Sequence, residues 1–206
     1  MQLAELKSIV DSHCGTFHCV QRGNDANRKD VKFIHVYAPP NTRDQLISIP
    51  RIAEFYETFG ELLLYHDPVS KDAAFYISSI DEWASFKEQF TLWLSDLTEE
   101  ERKELLPDWI NSYIVIGEIP RSGNYLLVPT EGEHAGHIFE FEHDGFEFIE
   151  LASSLEEFVK SALKPNNSQL RAMASHLTFI DGEDYSVQWW ISEMEDNQGN
   201  VVSTTI

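Results

Sequence analysis

The stretch that decides the reading runs from Tyr113 to Leu151: Tyr113–Ile119 (YIVIGEI), Asn124–Pro129 (NYLLVP), Gly136–His143 (GHIFEFEH), then Asp144-Gly145 and Phe146–Leu151 (FEFIEL). Four short apolar or alternating runs, separated by turn residues, predict four strands. Asp-Gly supplies the positive backbone dihedrals of a two-residue hairpin loop, so the last two runs are expected to pair antiparallel. Phe141 then faces Phe148 and Glu142 faces Glu147. Phe139, Phe141 and Phe148 line the core side, and Glu140, Glu142 and Glu147 the opposite side. A helix is expected next. Ser153 and Ser154 each stand three residues before a glutamate, Glu156 and Glu157, so two capping boxes compete to start it. Leu155, Phe158, Val159 and Ala162 recur at helical spacing.

Upstream, Ile49-Pro50 through Ile52, Phe55, Tyr56 and Phe59-Gly60 reads as a helix, with proline in the first turn and glycine at the end. Together with the strand runs, Gly123 to Pro129, Gly136 to Gly145 and Leu151 to Phe158, this succession resembles the SUKH superfamily. That superfamily groups Smi/Knr-like fungal regulators of cell-wall synthesis with bacterial immunity proteins against polymorphic toxins. The resemblance covers about residues 49–163 and contains no catalytic signature. It implies an α+β fold, an antiparallel or mixed central sheet with helices packed around it.

The rest of the chain reads as additions within a single unit, 1–206. An N-terminal part, 1–48, holds a short helix (Leu3, Leu6, Ile9, Val10), a strand from Thr16 to Gln21, a polar loop from Gly23 to Asp30 and a strand from Val31 to Ala38. Strands from Leu62 to Tyr65 and Ala73 to Ser78 flank an Asp67-Pro68 turn. Ser79 with Glu82 starts a helix whose buried stripe is Trp83, Phe86, Phe90, Leu94 and Leu97, and Thr98 with Glu101 starts a shorter one that ends before Pro107. In the C-terminal part, 164–206, Leu170, Met173, Ala174 and Leu177 predict a helix. Tyr185 to Ile191 predicts a strand, and Val201 to Ile206 its partner across Asn197 to Asn200. This tail is either a docked extension or a surface for a homodimer.

Fifteen lysines and arginines against 35 acids give a formal charge of −20. Nucleic-acid binding requires cations that neutralise phosphates, and anionic membranes attract the same cations, so neither partner is expected. A basic protein partner is, because complementary fields speed encounter. Two cysteines make no disulfide framework, which fits a reducing compartment. No signal peptide or membrane-length apolar run is visible, and a cytoplasmic protein is expected.

His13-Cys14 and His18-Cys19 could offer zinc nitrogen and sulfur, but the pairs stand five residues apart and no second pair completes a site. A buried cysteine beside a surface histidine is the plainer reading. His134, His137 and His143, beside Asp144, could serve a metal-dependent hydrolase, yet Gly132 and Gly136 make this a loop entering a strand. No nucleophile elbow, phosphate loop or zincin helix is present. We therefore expect no catalytic residue, metal or cofactor. The candidate partner-binding residues are Glu140, Glu142, Asp144 and Glu147, on a stretch without lysine or arginine between Arg121 and Lys160, and Trp190, which shares a strand face with Ser186 and Gln188. Like charges set opposite each other on neighbouring strands are destabilising, so the fold alone would not choose Glu142 against Glu147. The plain alternative is that these acids blunt a sheet edge. A non-enzymatic binding protein is expected, by resemblance an immunity protein that occludes a toxin such as a cationic nuclease. A regulatory scaffold of the Smi/Knr-like kind is the alternative.

Overall fold

A computed structural model describes residues 3–40, 49–181 and 184–205, and shows an α+β fold. Among the described residues, eleven strands join in one antiparallel sheet with six helices packed on it. The strands are β1 (Gly15–Gln21), β2 (Asn24–Ala38), β3 (Glu61–His66), β4 (Phe75–Ile77), β5 (Tyr113–Ile119), β6 (Asn124–Pro129), β7 (Ile138–Glu142), β8 (Glu147–Ala152), β9 (Thr178–Asp181), β10 (Asp184–Asp196) and β11 (Val201–Thr204). The helices are α1 (Leu3–Ser12), α2 (Pro50–Tyr56), α3 (Trp83–Ser95), α4 (Glu99–Leu105), α5 (Leu155–Ala162) and α6 (Asn167–His176). Among these no helix is long and apolar enough to cross a membrane.

The sheet runs β11-β10-β1-β2-β3-β4-β5-β6-β7-β8, with β9 paired to β10. Its corner is β2, which gives Asn24 and residues 28–33 to β1 and residues 34–38 to β3. The register slips between Ile34 and Val36, and on the facing strand Tyr65 takes a positive φ of 57°. A bulge is how a strand turns a corner between partners. Of the polar run expected as a loop, 23–30, Gly23 stays in a tight turn with Arg22, and residues 24–30 are instead the exposed first half of β2. Ladder hydrogen bonds come from the main chain, so polar side chains do not prevent them when both faces are wet.

Two buried clusters lie on opposite faces of β5 to β7. One joins Ile116, Leu126, Val128 and Ile138 to α2, α5 and α6, and continues through Leu62, Tyr65, Phe17 and Phe33 to Phe179, Trp189 and Ile191. The other packs Val115, Tyr125, Leu127, Phe139 and Phe141 against Phe86, Phe90 and Leu94 of α3. The N-terminal hairpin and the C-terminal strands therefore share a core with the central region, and the tail is a docked extension: β10 pairs along the length of β1. The side chain of Tyr185 and the whole of Ile206, both placed in strands above, lie outside the described residues.

Local signals explain several boundaries. Ser154, not Ser153, caps α5, its Oγ accepting from the Glu157 N–H at 3.2 Å. Thr98 caps α4, and Glu101 reaches back to the Thr98 N–H at 2.8 Å. Gly60 ends no left-handed turn. Its hydrogen is needed because a Cβ there would lie 2.1 Å from the Pro39 carbonyl oxygen.

Candidate functional site

The β7–β8 hairpin holds the register read from the sequence: Phe141 pairs with Phe148 and Glu142 with Glu147. Its loop differs. Four residues, His143 to Phe146, link the strands, and Phe146 rather than Gly145 takes the positive φ, 54°. Loops of this length are commonly built on an ordinary type I turn, which does not need glycine at its centre. The Glu142 carboxylate folds over the loop and accepts from the N–H groups of Asp144 (3.2 Å) and Gly145 (2.5 Å).

Beneath the loop lies a residue that the sequence reading passed over. Asn124, 1% exposed at the start of β6, donates from Nδ2 to Glu140 at 2.6 Å. Its Oδ1 lies 3.2 Å from the backbone nitrogen of His143 and 2.9 Å from His143 Nδ1. Since Nδ2 faces a carboxylate, Oδ1 must be the acceptor, so His143 carries its proton on Nδ1. His143 Nε2 then faces Asp144 at 3.0 Å. The hydrogen-bonded chain Glu140–Asn124–His143 fixes the tip from below.

Glu140 does not line an open face. The face it shares with Ile138 is covered by α5 and α6, because Ile138 is fully buried there. Glu140 borders a cavity of about 150 Å³ with Phe75, Leu151, Phe158, Met173 and His176. Burial pushes its carboxyl above the usual range, offset by the Asn124 hydrogen bond and the nearby His176. Sequence alternation placed Glu140 on the correct face but could not show that helices cover it.

Glu142, Asp144 and Glu147 remain together at the tip, and Asp144 is 84% exposed. Among the described residues, no lysine or arginine forms an ion pair with Glu140, Glu142 or Glu147. Beside the tip stands Trp93, 39% exposed, its ring 5.2 Å from His143 and 6.2 Å from Phe141. Leu92, 65% exposed, precedes it. Both lie off the buried stripe of α3, and that was the available signal: two large apolar residues at positions the stripe does not use. Because β8 is the outermost strand, its acids also blunt a sheet edge.

Trp190 is remote from this cluster, near the far end of the sheet on β10. It is half-buried, has the Arg22 guanidinium 5.7 Å above its ring, and lines an open cleft of about 890 Å³ with Arg28, Asp30, Arg171 and Glu193. The five candidate residues therefore divide among a cavity, a hairpin tip and a distant cleft.

The histidine–cysteine pairs at 13–14 and 18–19 do not converge. His18 sits between Asp30 (2.7 Å) and Glu195 (3.2 Å), and its pKa is raised chiefly by the hydrogen bond to Asp30. Cys19 is buried, and desolvation pushes its thiol up to about 12. Among the described residues, no group of three potential metal ligands includes either cysteine.

Comparisons of the chain with protein-family models, with curated proteins and with solved structures find no match.

Proposed function

We propose that this chain is a non-enzymatic, cytoplasmic protein-binding module that docks a basic partner through the tip of its β7–β8 hairpin. Glu142, Asp144 and Glu147 supply the field that steers the encounter, and Trp93 with Leu92 supplies the apolar anchor. The observation that carries this reading is the like-charge pair Glu142–Glu147, unneutralised by lysine or arginine among the described residues, on a hairpin whose other face carries the exposed Trp93 against Phe141 and His143. Facing acids cost stability, whereas anchors of Trp type rimmed by polar residues are where binding energy concentrates. The SUKH-like succession of residues 49–163 supports the narrower form: an immunity protein that covers the working surface of a cationic toxin domain, for example a nuclease.

The test is direct. Under this reading the gene lies next to one encoding a large secreted toxin, and the purified chain binds that toxin's C-terminal domain with an affinity that falls as salt rises. Trp93→Ala should weaken binding by about 2 kcal/mol or more, the scale of a hot-spot residue. Binding without inhibition would favour a regulatory scaffold. Catalytic turnover by the pure protein, or affinity indifferent to Glu147→Lys and Trp93→Ala together, would overturn the assignment to this surface.

A further inference from the structure

We propose that His134, His137 and Glu150 form a binding site for one divalent transition-metal ion, with zinc the first candidate. The residues come from two elements, the loop between β6 and β7 and the edge strand β8. Gly132 and Gly136, both with φ above 80°, fold the loop so that the His137 N–H donates to the His134 carbonyl at 3.0 Å. This turn sets the two imidazoles edge to face, with centroids 5.4 Å apart. Glu150 pairs in register with Phe139, and His134 packs on Phe139 at 5.7 Å, so carboxylate and rings meet over one strand. One ligand atom from each of the three residues lies within 4.8 Å of the others.

An ordinary hydrogen-bonded pair accounts for His137, whose Nδ1 stands 2.8 Å from Glu150 Oε1. It does not account for His134. Although that side chain is 43% exposed, its Nδ1 is shut off from solvent and has no hydrogen-bond partner. It points at the second oxygen of the same carboxylate from 3.9 Å, beyond hydrogen-bond range. A buried polar atom left unpaired costs about 1 to 3 kcal/mol, and an ion is one of the recognised explanations for such an atom. A cation bonding both atoms at roughly 2.0 to 2.2 Å would close that separation with small side-chain rotations.

The ligand set selects the metal class. Calcium and magnesium take oxygen ligands, whereas two imidazoles and a carboxylate suit zinc and its neighbours. Three protein ligands leave a fourth tetrahedral position for water. A second cluster, Glu142, His143 and Asp144, is a poorer site because its groups are already used. His143 Nδ1 is bonded to Asn124, and the Glu142 carboxylate holds the loop N–H groups. The proposed site lies at the opposite end of β7 from the tip, so it stands or falls independently of the partner reading.

The experiment is calorimetric titration of the full chain with zinc chloride, alongside the d–d absorption spectrum with cobalt. One ion per chain and a spectrum of tetrahedral intensity are expected. His137→Ala and Glu150→Gln, each verified as folded by circular dichroism, should lose at least the roughly 10- to 100-fold in affinity that follows removal of a mere supporting residue. His143→Gln should leave binding unchanged. No saturable binding by the wild type, affinity unaltered in both ligand variants, or loss in His143→Gln instead would each overturn the proposal.

Discussion

His35 sits at the slip in β2, and its hydrogen bonds determine its protonation. Its Nδ1 accepts from the Tyr65 N–H at 3.1 Å, so its proton lies on Nε2, 2.7 Å from His13 Nδ1. Burial lowers both histidines, His35 to about 3. The unfolded chain takes up these protons below an ordinary pKa of about 6.5, whereas the folded chain holds His35 neutral down to about 3. Stability from this pair is therefore complete above pH 6.5 and is lost as pH falls toward 3, at a slope approaching about 1.4 kcal/mol per pH unit for His35 alone. Urea titrations across that window should show a shallower pH dependence for His35→Gln than for the wild type. Equal slopes would remove the His35 account. Alternation along residues 31–38 sets His35 on the face of Val31 and Phe33 but does not show how deeply it is covered. Its burial depends on Tyr65 of β3 closing over it, a contact that no local pattern encodes.

At the scale of the element, the β7–β8 hairpin sets stability against recognition. Replacing Glu147 by glutamine removes the charge facing Glu142, and the gain should be roughly 0.2 to 1 kcal/mol in chemical denaturation. The same substitution should weaken partner binding. An unchanged or lowered stability would mean that the pair is not repulsive. The strands β5 and β6 could be read to the residue because both are largely apolar runs between turn residues. The capping of α4 was equally readable, since a cap is a local contract between neighbouring residues, whereas Ser79 caps a short 3-10 turn ahead of α3 and α5 uses only the second of its two competing serines. What escaped was nonlocal. The strand character of residues 24–30 depends on β1 as partner. The burial of Glu140 depends on α5 and α6. The choice of Phe146 for the left-handed turn position depends on a loop four residues long rather than two.

Across the whole molecule, the continuous sheet makes the C-terminal strands structural members. Phe179, Trp189, Ile191 and Met194 are each at most 8% exposed in the core that also holds Phe17 and Phe33. At about 1.5 to 3 kcal/mol for each such side chain, their burial contributes on the order of 10 kcal/mol. That is comparable with the entire net stability of a typical domain, about 5 to 15 kcal/mol. Calorimetry should give one thermal transition for the intact chain, and removal of residues 178–206 should abolish cooperative unfolding. A truncated chain that retains a sharp transition would show that the central strands are self-sufficient.

Trp93 also gives the protein a built-in optical gauge. Of the five tryptophans, Trp83 and Trp189 are buried and Trp109 and Trp190 half-buried, which leaves Trp93 the most hydrated indole of the set. Any macromolecule that settles on the tip should strip water from that ring and shift its emission toward the blue, a change that Trp93→Phe would erase and Trp190→Phe would leave intact.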